Sequence, residues 1–362
     1  MVNRSTAHTV IPGNLSAPGS ASVVASSTTE KALRFGFMEL PRSMQETEQL
    51  ARHADEAGYD WMGIADSPTV YQESYLHQLH ALNNSTRLKV GPLVSHIVVR
   101  HPVIVANLLA TLNEASDGRS VGTIATGNSA ARGLGLAPAN ASDMRAAVKA
   151  IRGYWAGDGG AFHDSIIPPT GIVRQACPLI VAADGPQIME VGGECGDGVL
   201  YGGTMNDEVL AKRIRVGRTR TDQDFWASPA VSLGESVDEV LDDMGAMVVA
   251  MANRAFRGNL EERGIPQHLH ADIQAMWQRY DYGFHADNSR PKNMQGVSRA
   301  LAEYLVENFV IWGDETRWVT RLNSLAAHGC DGVMFILGQS EQYTVVKRIT
   351  ERLRGLNLLG AS

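Results

Sequence analysis

Leu33-Arg34-Phe35-Gly36-Phe37-Met38-Glu39 is followed directly by Leu40-Pro41-Arg42. The first seven residues read as a short strand, and the turn after them decides the fold. An open, doubly wound sheet built for a dinucleotide would carry Gly-x-Gly-x-x-Gly here. A carboxylate, a proline and an arginine stand in its place. A chain that alternates strands and helices without that turn is better read as a parallel sheet closed into a barrel.

The alternation runs outward from this strand along the whole chain. Seven further strands are expected at Trp61–Ala65, Leu88–Ser95, Ser120–Thr126, Pro178–Asp184, Gly198–Gly202, Phe225–Leu233 and Asp331–Leu337. Amphipathic stretches separate them at Ser43–Ala57, Tyr75–Leu82, Val103–Ala115, Ser142–Trp155, Gln187–Cys195 and Asp207–Arg215, and Glu341–Leu353 closes the series. The strand runs are continuously apolar, as strands covered on both faces require. The expected fold is therefore a (β/α)8 TIM barrel.

One interval breaks the rhythm. Gly234 to Cys330 is about a hundred residues long, where a plain strand–helix–strand unit needs roughly 30. Helices are expected near Val237–Arg254 and Val297–Phe309, with a polar aromatic stretch, MWQRYDYGFH, at Met276–His285. Barrel sites are built from the loops at the strand C-termini. An insertion at 235–330 therefore reads as a lid or substrate wall, with a dimer element as the alternative. Residues 1–32, rich in Ser, Ala and Thr, read as a disordered tail, leaving 33–362 as one barrel domain.

Composition narrows the function classes. The 362 residues carry 32 Lys plus Arg against 39 Asp plus Glu, a formal charge of −7, which argues against nucleic acid as partner. Three cysteines cannot staple a chain of this length and suggest a reducing, cytoplasmic setting. No apolar run reaches the 18 residues of a membrane span.

In a barrel the residues just past each strand face the site. These include Glu39, Asp66, Ser95 and His96, then Thr126-Gly127-Asn128-Ser129, Ala183-Asp184-Gly185-Pro186, and Gly202-Gly203-Thr204. Small residues opening a helix expose backbone amides that suit a phosphate; tight turns between strand and helix would leave the same signature. His96 can titrate near neutrality, and Asp66 can bind a polar ligand edge or cap a helix. No carboxylate or cysteine completes a metal-ligand spacing around the pairs His77/His80 and His268/His270.

Several motifs stand in a telling order: Ala54–Ala65 (ADEAGYDWMGIA) with Asp66, Arg100-His101-Pro102 leading to Ala110–Arg119 (ATLNEASDGR), Ile124–Asn128 (IATGN) and Ser129–Gly135 (SAARGLG). Ile180–Pro186 (IVAADGP), Glu194–Gly203 (ECGDGVLYGG) and Phe309–Gly313 (FVIWG) follow. Together they resemble the bacterial-luciferase-like superfamily of flavin- and deazaflavin-dependent oxidoreductases, and within it the methylenetetrahydromethanopterin-reductase-like branch. The resemblance implies a cofactor ring against the ends of strands two to four, near Asp66, Val94, Ser95 and Asn128. It implies a non-proline cis peptide at Leu93-Val94. The cofactor tail is expected at Thr126, Gly127, Ala183, Asp184, Gly185 and Pro186, with Ser129 and Gly203 close by. Asp184 departs from the small neutral residue common at its position, and a carboxylate beside a phosphate must turn away.

The expected activity is that of an FMN-dependent monooxygenase. Reduced FMN would come from a separate flavin reductase, and the substrate would be a small organic molecule. Coenzyme F-420-dependent hydride transfer is the alternative, and a non-catalytic flavin-binding homologue a third reading. His96 and Asp66 are the candidate catalytic residues, with Trp277, Tyr280, Tyr282 and Phe284 as water-excluding lining. The assembly expected from the resemblance is a homodimer.

Overall fold

The computed structural model describes residues 32–338 and 341–359. The expected tail, but for Ala32, lies outside them.

The first barrel units are β1 (Arg34–Glu39), α1 (Met44–Ala57), β2 (Trp61–Ile64), α2 (Ser74–Asn83), β3 (Lys89–Pro92) with β4 (Ser95–His96), α3 (Pro102–Ala115) and β5 (Gly122–Ala125). A short α4 (Ser129–Gly133), then α5 (Ala141–Ala156) and an antiparallel hairpin, β6 (Gly160–Phe162) with β7 (Ser165–Ile167), follow. The order continues with β8 (Leu179–Ala183), α6 (Pro186–Cys195), β9 (Gly198–Tyr201), α7 (Asp207–Gly217), β10 (Asp224–Ala227) and β11 (Ala230–Val231). Then come α8 (Val237–Ala255), α9 (His270–Arg279), α10 (Arg299–Phe309), β12 (Val310–Ile311), α11 (Glu315–Ala327), β13 (Gly332–Phe335) and α12 (Gln342–Gly355).

The main sheet runs β3-β2-β1-β13-β10-β9-β8-β5-β4 with every pair parallel. Its two ends are halves of one expected strand. β3 and β4 are separated by Leu93 and Val94, whose peptide bond is cis as the resemblance implies. A bridge from Val90 to Ser120 joins β3 to the β5 side and closes the ring. The eight-stranded parallel barrel is thus the observed architecture.

Differences from the sequence reading lie at element ends. The seventh strand, expected over Phe225–Leu233, stops at Ala227; Ala230–Val231 pairs instead with Val310–Ile311. Pro229 interrupts the run, because proline has no N–H to give a ladder. The hairpin at 160–167 had no sequence expectation; Gly159 and Gly160, both at positive φ, bend the chain into it.

Apolar side chains fill the barrel interior. Trp61, Leu93, Val121, Ile180, Leu200, Trp226 and Met334 form one buried cluster, with Trp61 and Trp226 edge to face at 5.2 Å. Space for Trp226 depends on Gly332, where a Cβ would lie 2.5 Å from the indole. The interior is a packed core, so chemistry is left to the strand ends.

Most of the interval between β10 and β13 has a core of its own, built around Val240, Met244, Phe256, Ile273, Leu305 and Phe309. Met38 of β1 and Ile336 after β13 pack against both this cluster and the barrel interior. No helix among the described residues is long and apolar enough to cross a membrane.

Candidate functional site

The C-terminal ends of β2 and β4 are tied by one polar network. Asp66 is 3% exposed, and its carboxylate accepts from Arg100 Nε at 3.1 Å and from Arg100 Nη2 at 3.0 Å. Ser95 Oγ, also buried, donates to Asp66 Oδ2 at 2.8 Å. A carboxylate only accepts, so Ser95 gives it the single hydroxyl proton, and Tyr75 OH must donate to Ser95 Oγ at 2.7 Å. Every polar contact of the Asp66 side chain is internal. Its geometry is that of a brace between strands two and three.

His96 is placed differently. Its Nε2 lies 2.8 Å from the Asp66 carbonyl, which can only accept, so Nε2 carries the proton. Nδ1 is then a bare lone pair, buried and without a partner among the described residues. Burial pushes the imidazole pKa down, which keeps the ring neutral at pH 7. Gly127, at φ +81°, lies beside the base of this side chain: a Cβ there would be 3.3 Å from His96 Cβ and 3.0 Å from Val98 Cγ2.

Around Gly127 the remaining predicted residues are spread over two sides of the mouth. The Val94 side chain packs on the barrel interior rather than in the polar network. Thr126 accepts a backbone bond from Ala139 at 2.8 Å. Asn128 caps the short helix opened by Ser129, but without a side-chain cap bond. Its Oδ1 instead accepts from Tyr282 OH and from Arg132 Nε, each at 3.3 Å.

Ala183 ends β8 and is buried in the outer, helix-facing core. Gly185 is the N-cap of α6 and Pro186 its first residue, with no side-chain cap, so first-turn amides remain open to a ligand or water. Asp184 is turned toward the insertion. One carboxylate oxygen takes the Gly202 N–H at 3.1 Å and the other pairs with Arg254 of α8. Arg263, from the loop after α8, donates to the Asp184 carbonyl at 2.7 Å. Gly203 lines a small cavity behind these groups, together with Tyr201, Thr204, Arg213 and Arg263.

Of the aromatic residues expected to line the mouth, Tyr282 reaches a strand end directly. Tyr280 is 5.1 Å from it, edge on, and its hydroxyl bonds His285 Nδ1. Burial and Arg254 lower the His285 pKa to about 4. Trp277 lies under Arg257, and Phe284 between Arg290 and Lys292.

Glu39 ends β1, yet its carboxyl faces α1 and α2. It bonds Thr47 Oγ1, which lies 2.6 Å from His77 Nδ1, while His77 Nε2 donates to Gln72 Oε1 at 2.9 Å. Burial raises the Glu39 pKa to about 8 and lowers that of His77, so both groups are neutral at pH 7. Sequence reasoning missed this pairing and the roles of Arg100, Arg213, Arg254 and Arg263. Arg100 opens a recognisable motif; nothing local marks the others.

The closed parallel barrel is the fold that the sequence resemblance implied. The chain belongs to the luciferase-like monooxygenase family, whose match spans residues 20–332. It is 23% identical over 317 residues to the 5,10-methylenetetrahydromethanopterin reductase of Archaeoglobus fulgidus, covering 83% of this chain and 92% of that one. In structure it is similar to the coenzyme F-420-dependent tetrahydromethanopterin reductase of Methanopyrus kandleri, with a TM-score of 0.69 at 19% identity, over 89% of this chain and 98% of that one. A monooxygenase from Streptomyces bottropensis superposes with a TM-score of 0.60 at 17% identity, over 89% and 99% of the two chains.

Proposed function

We propose that this oxidoreductase transfers hydride between coenzyme F-420 and a small organic substrate at the barrel mouth. The reading reverses the order expected from sequence alone, which put the FMN-dependent monooxygenase first. Its main support is the likeness to a methylenetetrahydromethanopterin reductase, which covers 83% of this chain and 92% of that one.

The residues present suit a flavin-type cofactor. Gly127 leaves a cradle that a Cβ would fill, α6 has open first-turn amides, and His96 Nδ1 is an unsatisfied acceptor. Gly127, Asn128 and the Asp184–Pro186 turn would hold the cofactor, which when bound supplies a ring carbon able to accept or give a hydride. His96 would take the accompanying substrate proton at Nδ1 and return it in the reverse direction. The Asp66 carbonyl fixes the tautomer, and Asp66, Ser95 and Arg100 hold the strand ends in place. The insertion would exclude water through Tyr280 and Tyr282. A cytoplasmic homodimer acting on a small molecule completes the reading.

The FMN monooxygenase, with a partner reductase, remains the second reading, favoured by the family's own description. Titration of the purified protein with coenzyme F-420 and FMN, each oxidised and reduced, separates the two. Tight F-420 binding with negligible affinity for reduced FMN is expected; the opposite ranking would reject hydride transfer to a deazaflavin.

A further inference from the structure

Asp66 offers His96 two kinds of acceptor, and the imidazole takes the weaker one. His96 Nε2 donates to the Asp66 backbone carbonyl at 2.8 Å and not to the carboxylate, the stronger partner. The carboxylate is already taken. Arg100 Nη2 reaches Oδ1 at 3.0 Å, while Arg100 Nε and Ser95 Oγ reach Oδ2 at 3.1 and 2.8 Å. His96 and Arg100 belong to one turn, closed by the Arg100 N–H on the His96 carbonyl at 3.0 Å. That turn grips Asp66 at its backbone through His96 and at its side chain through Arg100. Arg100 is fixed in its turn by Glu73, whose two oxygens each accept from Nη2 at 2.9 Å, and by the Tyr75 ring 5.1 Å beneath it.

The choice of partner decides what His96 can do. An imidazole bonded to a carboxylate is stabilised as the imidazolium by the neighbouring anion. Both ring nitrogens then carry protons, and neither can accept another. Bonded to a carbonyl in a buried place, the ring stays neutral and Nδ1 keeps its lone pair. Burial lowers the pKa of this imidazole most; Asp66 raises it and Arg100 lowers it. Glu73 and the Tyr75 hydroxyl meet Arg100 and Ser95 rather than the ring, and the strand-four turn presents Gly127, which carries no titratable group.

We propose that Arg100 is a positioning residue for His96: by occupying the Asp66 carboxylate together with Ser95, it leaves the backbone carbonyl as the partner of Nε2 and keeps Nδ1 free to take a proton. The proposal rests on the reading of His96 as the group that exchanges the substrate proton, and adds the residue that holds this group in its accepting form. Bracing of the strand ends needs only the Asp66–Arg100 pair; positioning also fixes the state of the imidazole.

Nitrogen-15 NMR of the histidine side chains in the intact protein reads that state with neither cofactor nor substrate present. The His96 signals are those lost in His96→Gln. In the wild type they should show a proton on Nε2, none on Nδ1, and titration below the ordinary 6.5. Arg100→Gln frees the carboxylate and removes a positive charge, so His96 should bind its second proton at least about tenfold more tightly. Adding Asp66→Asn should return the wild-type titration, because no carboxylate is left to take the ring. A merely structural loss would not be reversed in that way. Ser95→Ala, which removes one of the three donors to the carboxylate, should give a smaller rise of the same sign and serves where Arg100→Gln does not fold.

An unchanged tautomer and titration in Arg100→Gln, or in Ser95→Ala where the former does not fold, would overturn the proposal. So would a rise that persists once Asp66→Asn is added. If coenzyme F-420 does not bind, the proposed function fails, while the positioning of His96 by Arg100 stands or falls on the NMR alone.

Discussion

Tyr282 and Asn128, 154 positions apart in sequence, meet at 3.3 Å, the tyrosine hydroxyl donating to the amide oxygen. The first belongs to the long interval between β10 and β13, the second to the end of strand four. With Arg254 on Asp184 at the end of strand five, this contact ties the insertion to the barrel rim at two adjacent strands.

Tyr282→Phe should remove one of those ties, together with the bond the hydroxyl accepts from Asn253 Nδ2 at 3.4 Å, without disturbing the ring packing beside Tyr280 and His285. A single hydrogen bond of this kind contributes about 1 kcal/mol. Global stability should change little, while amide exchange and protease cleavage around residues 280–295 should accelerate. Unchanged exchange there would show that the contact does not hold the insertion down.

Arg100→Met should be far more costly. It leaves Asp66, 3% exposed, as a buried carboxylate without its guanidinium. Breaking a buried pair in this way typically destabilises by about 3–5 kcal/mol. Urea unfolding should show that loss, and adding Asp66→Asn should restore part of it. A loss below about 1 kcal/mol, the range of an exposed pair, would contradict the bracing role.

Glu39 gives the protein a pH dependence with a defined sign. Its pKa is raised from 4.5 to about 8 in the folded chain. Between those values the folded form holds a proton that the unfolded form releases, so stability falls as pH rises and levels off above about 8. The lowered pKa values of His77, His96 and His285 act oppositely, removing stability as pH falls through their ordinary 6.5. The thiols of Cys177, Cys195 and Cys330, raised by burial from an ordinary 9.0, take effect only as pH approaches 9, so denaturation from pH 7 to 8 isolates the carboxyl. Glu39→Gln should flatten the curve in that range, and parallel curves for the two proteins would refute the assignment.

Gly127→Ala tests the cradle beside His96. The residue lies at φ +81°, and the new methyl would press on Val98 and His96. A penalty of roughly 1–2 kcal/mol is expected from the backbone conformation alone. Calorimetry should also show weakened cofactor binding, since the methyl enters the strand-four turn. Full affinity in a folded variant would remove that turn from the site.

The barrel was legible because its signals are local and repeat. Apolar runs of strand length, amphipathic stretches between them and the absence of a dinucleotide-binding turn after Glu39 sufficed to choose it. The strand-end residues followed from that choice, and so did His96, whose buried free nitrogen lies at the end of β4. Side-chain direction was not legible. Asp66 and His96 look equally available in sequence, yet the carboxylate is closed off by Arg100 and Ser95 while the imidazole keeps a lone pair. The contact of Arg263 with the Asp184 carbonyl was hidden for another reason: the two are 79 positions apart and carry no shared motif.

By itself, then, the sequence determined the order of elements, the closed parallel sheet and the family to which the chain belongs. These depend on periodicity and on glycine, proline and apolar spacing, which act within a few residues of one another. Tertiary structure alone decided how charges are shared. It set Glu39 against Thr47 and His77 in the helix layer and gave Asp184 to Arg254. Electrostatic partnership is fixed by distances of a few ångströms across the fold, and sequence separation carries no record of them.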